Sequence, residues 1–164
     1  MYNRIHLFWG TTLLIFLFSL SSIAQQGITL PRASQHATIS QKIGIAEITI
    51  DYHRPGVKDR EIWGALVPYN QVWRAGANEN TTITVSHQVK IDGKNVPAGT
   101  YGLHMIPTDN EWTIILNKDY RAWGSFFYVE ENDLLRFRTS PETADHQEWL
   151  AYSFIDVSPL PTDC

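Results

Sequence analysis

The alternation of apolar and polar residues over positions 82–91, TITVSHQVKI, constrains the fold more than any other feature. The odd positions from Ile83 to Ile91 carry Ile, Val, His, Val and Ile, while the even positions carry Thr, Thr, Ser, Gln and Lys. A period of two places alternate side chains on opposite faces of a strand. The segment therefore predicts one ten-residue β-strand with one face buried and the other in water. Residues 46–52 show the same pattern, with the apolar residues at even positions.

Turn signals separate the remaining strand patterns. Asp92-Gly93 lies between apolar residues and predicts a tight hairpin, because both residue types tolerate positive φ. Pro97-Ala98-Gly99 and the run that starts at Pro107 predict two further turns. We predict the other strands at residues 100–106, 111–117, 133–139 and 148–157.

Residues 59–69 form the one helical pattern, with Asp59 as a possible N-cap and Ile62, Trp63 and Leu66 on a shared face. Short strands separated by frequent turns are typical of all-β domains. The predicted fold class is therefore all-β: an antiparallel β-sandwich or jelly-roll-like barrel with one short helix.

The first 24 residues predict a cleaved secretory signal peptide. Arg4 precedes an apolar run that ends near Leu20, and Ser22-Ile23-Ala24 supplies a small-residue cleavage site. The alternative is an uncleaved anchor, but the run is shorter than the ~20 apolar residues of a membrane span. We expect an exported protein, periplasmic or extracellular, with no membrane span after cleavage.

Four segments follow from these patterns. Residues 1–24 are the signal peptide, residues 25–36 a mobile leader, residues 37–157 a single β domain, and residues 158–164 an atypical short tail. Cys164 is the only cysteine, so no internal disulfide is possible and packing alone must hold the domain together. The net charge of −4 argues against a nucleic-acid partner.

Residues 72–82, VWRAGANENTT, are the main candidate site. In one interpretation Trp73 is the wall of a pocket, Arg74 binds a carboxylate or sugar hydroxyl, Asn78 donates its amide, and Glu79 accepts or acts as a base. In the other, the segment is a structural corner, in which Arg74 pairs with Glu79 and Asn78 closes an Asx-turn on its own backbone.

A second candidate is the loop of Arg54, Lys58 and Arg60 around Pro55-Gly56. Three bases within seven residues can receive an anionic ligand, or they can form a solvated loop. Arg54 and Arg60 are therefore included among the ligand-binding candidates.

Local motifs for catalysis or metal binding are missing from the sequence. It contains no HExxH pattern, no His-Cys spacing and no G-x-S-x-G, so we expect neither metal nor cofactor. The catalytic residues are unknown, with Glu79 the one candidate. His87 and His104 are expected in the core or at its rim. Trp112, Trp123 and Trp149 are also expected in the core, the alternative being a sugar platform.

A set of motifs is spread between Ser40 and Phe154. They are Arg54-Pro55, Lys58, Arg60, residues 64–69, 72–79, 93–94, 97–101, 106–107, 111–113, 117–118, 123–124 and 133–136. Together they resemble the exported bacterial proteins of the domain of unknown function 2911 family. The string VPYNQVWRAGANE makes the likeness specific.

The resemblance implies a β-rich exported domain and brings no catalytic residues. The chain departs from the family pattern at His53, where Ser is usual, and at His104, where an apolar residue is more usual. Family domains usually continue into one more strand, whereas this chain ends in residues 158–164, SPLPTDC. We expect either a missing last strand, whose gap a partner fills, or a truncated product.

Three functions remain open at this point, and whether the protein is an enzyme is uncertain. The favoured hypothesis is a non-catalytic module that binds a small molecule, glycan or protein. The first alternative is a hydrolase of cell-envelope or extracellular polymers, with Glu79 oriented by Arg74. The second is a structural subunit completed by a partner strand.

Overall fold

The computed structural model describes residues 30–158. The chain divides into two units, residues 1–31 and 32–164, and only Leu30 and Pro31 of the first unit are described. The predicted signal peptide lies outside the described residues. So do residues 25–29 of the predicted leader and residues 159–164 of the predicted tail, including Cys164.

Strands are the regular structure of the described residues, which also contain a short 3-10 helix at Glu130–Asn132. The strands are β1 Gln35–Ile43, β2 Ala46–Arg54, β3 Thr82–Val85, β4 Val89–Ile91, β5 Lys94–Val96, β6 Gly99–Ile106, β7 Trp112–Asn117 and β8 Asp133–Thr139. Their pairings are antiparallel, which confirms the all-β, antiparallel fold class. β1 begins inside the predicted leader, so Gln35 and His36 belong to the sheet.

Six strands of the described chain form one sheet in the order β1-β2-β3-β6-β7-β8, and β4 and β5 form a separate hairpin. Each strand of the large sheet lies beside the next one along the chain, apart from the hairpin inserted between β3 and β6. A jelly roll needs Greek-key connections, and this order of the described strands has none. The predicted sandwich or jelly-roll-like arrangement is therefore not confirmed.

The prediction of one unbroken strand over residues 82–91 is wrong, because the strand is interrupted in its middle. β3 ends at Val85, and the next residue bonds to β2: the Ser86 amide donates to the Glu47 carbonyl at 3.0 Å, and the Ser86 hydroxyl accepts the Glu47 amide at 2.7 Å. His87 is exposed, which corrects the expectation of a core or rim histidine. The strand resumes at Val89 in a different sheet.

The predicted Asp92-Gly93 hairpin is confirmed as the link between β4 and β5. Asp92 has φ 49° and Gly93 has φ 71°, and Ile91 pairs with Lys94 across the turn. Two successive positive φ values match the right-handed twist of the flanking strands.

The hydrophobic core draws its buried residues from the large sheet, from the β4–β5 hairpin and from Ala75. Its buried members are Ala75, Val85, Val96, Tyr101, Leu103, Leu116 and Leu135. Ile83, Val89 and Ile91 pack against this cluster. The apolar alternation of residues 82–91 therefore predicts the core face correctly on both sides of the break, although His87 leaves it.

Two predicted elements are wrong. Residues 59–69 contain no helix, because Asp59 and Gly64 have φ values of 55° and 82°, which are left-handed, and the chain turns at each of them. The strand predicted at residues 148–157 is reduced to one bridge between Gly56 and Trp149. Within residues 30–158 no helix has the length and apolar character needed to cross a membrane.

Candidate functional site

The corner that starts at Trp73 is fastened to the sheet at its first residue. The Trp73 amide donates to the Met105 carbonyl at 2.7 Å, and the Met105 amide donates back at 2.8 Å. Thr81 and Tyr152 both donate side-chain hydroxyls to the buried Ala75 carbonyl, at 3.0 and 2.6 Å. The corner is therefore held from β6, from its own far end and from the C-terminal segment.

Position 76 of this corner has no room for a side chain, so it requires glycine. A Cβ at this position would lie 2.6 Å from Thr81 Oγ1 and 3.2 Å from the backbone oxygen of His53. The close approach brings the corner against the end of β2. It is the reason that residues 73–77 share one surface with the loop that follows β2.

Glu79 does not pair with Arg74, so the predicted Arg74–Glu79 ion pair is wrong. Arg32 Nη1 lies 2.7 Å from both carboxylate oxygens of Glu79, and His53 Nε2 lies 3.4 Å from one of them. The hydrogen bonds from Arg32 lower the pKa of Glu79, so this carboxyl stays ionised at neutral pH. Such a group is poorly suited to donate a proton as a general acid.

Asn78 also bonds away from its own turn. Its Nδ2 donates to the Ser34 carbonyl at 3.3 Å, and its backbone has φ 59°. The predicted Asx-turn is therefore replaced by a tether to the segment before β1. Asn78 and Glu79 together fix that segment, and neither lines the cavity described below.

A cavity of about 650 Å³ borders the corner. Its walls come from four places: the residue before β1, the loop after β2, the corner and the C-terminal segment. The lining residues are Ser34, Pro55, Gly56, Val57, Arg60, Ile62, Trp63, Leu66, Val67, Trp73, Arg74, Gly76, Ala77, His146, Gln147 and Leu150. Of the six ligand-binding candidates, the structure brings Trp73, Arg74 and Arg60 to this cavity.

Two tryptophans form the flat apolar part of the lining. The rings of Trp63 and Trp73 meet edge to face with centroids 5.5 Å apart, and Trp63 packs in the same manner on Trp112 at 4.5 Å. Trp63 is still 40% exposed. It is thus held by its neighbours and also open to a ligand.

The positively charged loop supplies one cavity residue and one structural residue. Arg60 donates from Nη2 to the Gly56 carbonyl at 2.6 Å and from Nε to the Val57 carbonyl at 3.0 Å, which fixes its guanidinium at the cavity wall. Arg54 Nε instead donates to the Leu150 carbonyl at 2.7 Å and does not line the cavity. Arg54 therefore ties the C-terminal segment to the end of β2.

Arg74 has no carboxylate partner among residues 30–158. Its guanidinium carbon lies 6.0 Å from the centre of the Phe126 ring, and its Nη1 occupies the space that a Cβ on Gly124 would need. Its Nε is buried without a hydrogen-bond partner, as are both amide atoms of Asn80 in the same corner. Buried polar groups without partners are uncommon and often mark a site for water or ligand.

Sequence reasoning missed the cavity residues that lie far from the corner. The sequence pattern predicts a helix face for Trp63, and nothing in the sequence links His146, Gln147 and Leu150 to residue 74. The expectation of a core position is wrong for Trp123 and Trp149, which are 50% and 40% exposed.

Comparison with known proteins gives one match. A family model described as "Protein of unknown function (DUF2911)" matches residues 34–161. No curated protein and no solved structure matches the chain. The match covers the whole set of described strands and the cavity.

Proposed function

Because the chain belongs to the DUF2911 family of proteins of unknown function, we propose a function from its geometry: the domain binds a small anionic molecule with a flat apolar group. The site is the cavity beside Trp63, Trp73 and Arg74. The predicted signal peptide would place this binding in the periplasm or the extracellular space.

The observation that carries the proposal is the charge of the cavity lining. Arg60 and Arg74 give it two permanent positive charges, and none of the lining residues is Asp or Glu, although the chain as a whole has a net charge of −4. The Arg74 guanidinium is not neutralised by any carboxylate of the described residues. A partly buried cation without a carboxylate partner favours an anion, and guanidinium groups bind carboxylates through paired hydrogen bonds.

The size and the walls of the cavity support a small ligand with an apolar body. Small-molecule sites commonly have volumes of about 300–1,000 Å³ and mostly apolar walls with a few polar groups. Trp63, Leu66 and Leu150 provide such walls here. The exposed ring of Trp63 offers a face on which a flat group can stack.

Glu79 gives little support to the hydrolase alternative that assigned it a catalytic role. Its carboxylate is held by Arg32 and lies outside the cavity lining. A binding site needs no such residue, which favours binding over catalysis at this cavity.

Titration of tryptophan fluorescence tests the proposal, with 2-naphthoate, its neutral amide and 2-naphthylamine as matched probes. Binding of naphthoate with little binding of the other two is expected. Arg74→Met should weaken naphthoate binding by about 10- to 100-fold, because a hydrogen bond to a charged group contributes about 1.5–3 kcal/mol. Arg138→Met is the control, since Arg138 pairs with Glu111 outside the cavity lining.

Equal binding of naphthoate and its amide would contradict the anionic part of the proposal. If Arg74→Met leaves the naphthoate affinity unchanged while Trp63→Ala weakens binding of naphthoate and its amide, the cavity is the binding site but Arg74 does not bind the anion. No binding of any of a wider set of carboxylates would overturn the proposal.

A further inference from the structure

His104 and Ser125 form a hydrogen-bonded pair that has no part in the cavity. His104 lies on β6 and is 1% exposed, and its Nδ1 lies 3.3 Å from the Ser125 hydroxyl. Ser125 lies in the segment between β7 and β8 and is only partly buried. Neither residue lines the cavity beside Arg74. The serine is thus reachable from outside, while its histidine is shielded.

Burial keeps the His104 imidazole neutral. It lowers the pKa of His104 to about 4, and the charges of Asp133 and Asp119 oppose this shift only in part. The ring of Tyr128 covers the imidazole with centroids 5.3 Å apart. A neutral imidazole with its proton on Nε2 presents the Nδ1 lone pair to the serine hydroxyl. This is the arrangement of a general base and a nucleophile.

A positive charge lies beside the residue before the serine. Gly124 has φ 63°, and a Cβ there would collide with Arg74 Nη1. The glycine therefore lets the guanidinium approach the backbone next to Ser125. A cation beside the residue that precedes a nucleophile can stabilise the oxyanion that forms when a carbonyl is attacked.

Exposed apolar side chains flank the same serine. Trp123, Phe126 and Phe127 are 50%, 79% and 69% exposed. Monomeric proteins rarely leave large apolar groups together in water without a function. These rings offer a surface for the hydrocarbon part of a substrate.

From these four observations we propose that Ser125 is a nucleophile, activated by His104, that acts on esters with an apolar acyl group. The Ser125 oxygen forms a bond to the carbonyl carbon while its proton passes to His104 Nδ1. The ester C–O bond then breaks, and the leaving alcohol takes that proton. Water attacks the acyl-serine and gives a proton to His104; the acyl–Oγ bond then breaks, the Ser125 oxygen takes that proton back from His104, and a carboxylic acid is released.

Ser86 and His87 provide a matched comparison. The Ser86 hydroxyl lies 2.9 Å from His87 Nδ1, which is closer than in the proposed pair. Both residues are exposed, and the Ser86 hydroxyl also accepts the Glu47 amide at 2.7 Å. No cation is paired with or stacked near them in the described residues. A hydrogen bond to histidine alone therefore does not distinguish Ser125.

Reaction with alkyl fluorophosphonates tests the proposal directly. Ser125 Oγ would bond to phosphorus, fluoride would leave, and the hydroxyl proton would pass to His104. Mass spectrometry should find one adduct per chain, on Ser125, in the wild type and in Ser86→Ala, and none in Ser125→Ala. His104→Gln should slow the reaction by about 100-fold, the lower end of the contribution of a general base, because a base with a pKa of about 4 accepts a proton weakly. An octyl reagent should react faster than an ethyl reagent.

The pH dependence of labelling separates catalysis from a structural hydrogen bond. The groups that face His104 are Ser125, Tyr128, Asp119 and Asp133. The labelling rate should hold as the pH falls from 8 to near 5 and then drop as His104 protonates near pH 4.

Several results would overturn the proposal. The first is that the folded wild type forms no adduct with excess reagent. The second is that Ser86 is labelled as much as Ser125. The third is that a folded His104→Gln variant reacts at an unchanged rate. The test does not depend on ligand binding in the cavity. Ser125→Ala should leave naphthoate affinity unchanged, so failure of one proposal is distinguishable from failure of the other.

Discussion

Arg32 binds Glu79 across 47 positions of sequence, with its Nη1 at 2.7 Å from each oxygen of the carboxylate. The pair fastens the residues before β1 to the corner that carries Trp73 and Arg74. It also leaves Arg74 without the acidic neighbour that its own sequence context offers. The availability of Arg74 for an anionic ligand depends on this choice of partner.

The Arg32–Glu79 pair should contribute little to stability, because both side chains are about half exposed. A double-mutant cycle with Arg32→Met and Glu79→Gln is expected to give a coupling of about 0.2–1 kcal/mol by urea unfolding. Because the folded pKa of Glu79 is lowered, this contribution is present above its ordinary value of 4.5 and is lost as the pH falls below it. A coupling above about 3 kcal/mol, typical of buried pairs, would contradict this account.

Acid should destabilise the domain through His104. Its folded pKa is about 4, against an ordinary value of 6.5, so the unfolded chain binds a proton that the folded chain refuses between these two values. Stability should therefore fall with decreasing pH in this window, by at most about 1.4 kcal/mol per pH unit from this group.

Urea unfolding at several pH values measures this effect. His104→Gln should be less stable at pH 7, because the packing around a buried side chain is disturbed, yet it should show a flatter pH dependence. Equal slopes in wild type and His104→Gln would show that His104 is not the titrating group.

Gly124→Ala should lower the free energy of unfolding more than Gly44→Ala does. Both glycines have positive φ, 63° and 59°, where a Cβ costs about 1–2 kcal/mol. At Gly44 the added Cβ would meet nothing within 4 Å, whereas at Gly124 it would collide with Arg74 Nη1. We expect about 2–4 kcal/mol at Gly124, with weaker naphthoate binding, since Arg74 must move. Similar losses at both positions would mean that Arg74 relocates freely.

Removing the two hydrogen-bond donors to the Ala75 carbonyl should lower the free energy of unfolding non-additively. Thr81 and Tyr152 both donate to this oxygen, and Ala75 is fully buried. Thr81→Val and Tyr152→Phe should each cost about 0.5–1.5 kcal/mol, since one donor remains. The double variant should cost more than their sum, because the buried oxygen then loses both donors. Strict additivity in thermal or urea unfolding would contradict this.

The strand pattern could be predicted because it depends on local alternation. Residues 100–106 and 133–139 match β6 and β8 within one residue, and the Asp92-Gly93 turn is where the sequence places it. The failures involve contacts from far along the chain. The Ser86 hydroxyl accepts the amide of Glu47, 39 positions earlier, just where β3 ends, and residues 148–157 contact the end of β2 and the loop after it without forming a ladder.

The candidate site could be predicted in part for the same reason. Trp73 and Arg74 were identified because they lie together before a strand, and both reach the cavity. Trp63 lies in a segment whose apolar spacing predicts a helix, so the sequence does not indicate that it lines a cavity. Ser125 follows Gly124 without a recognisable motif. The predicted ion pair between Arg74 and Glu79 is wrong because Arg32, which is distant in sequence, binds Glu79 instead.

A crystal structure of the domain with 6-bromo-2-naphthoate tests the central claim most directly. The account predicts an anomalous bromine peak inside the cavity, the naphthalene ring against Trp63, and the carboxylate within hydrogen-bond distance of Arg74. A cavity without ligand at saturating concentration, or a carboxylate directed to solvent while Arg74 remains unpaired, would contradict it.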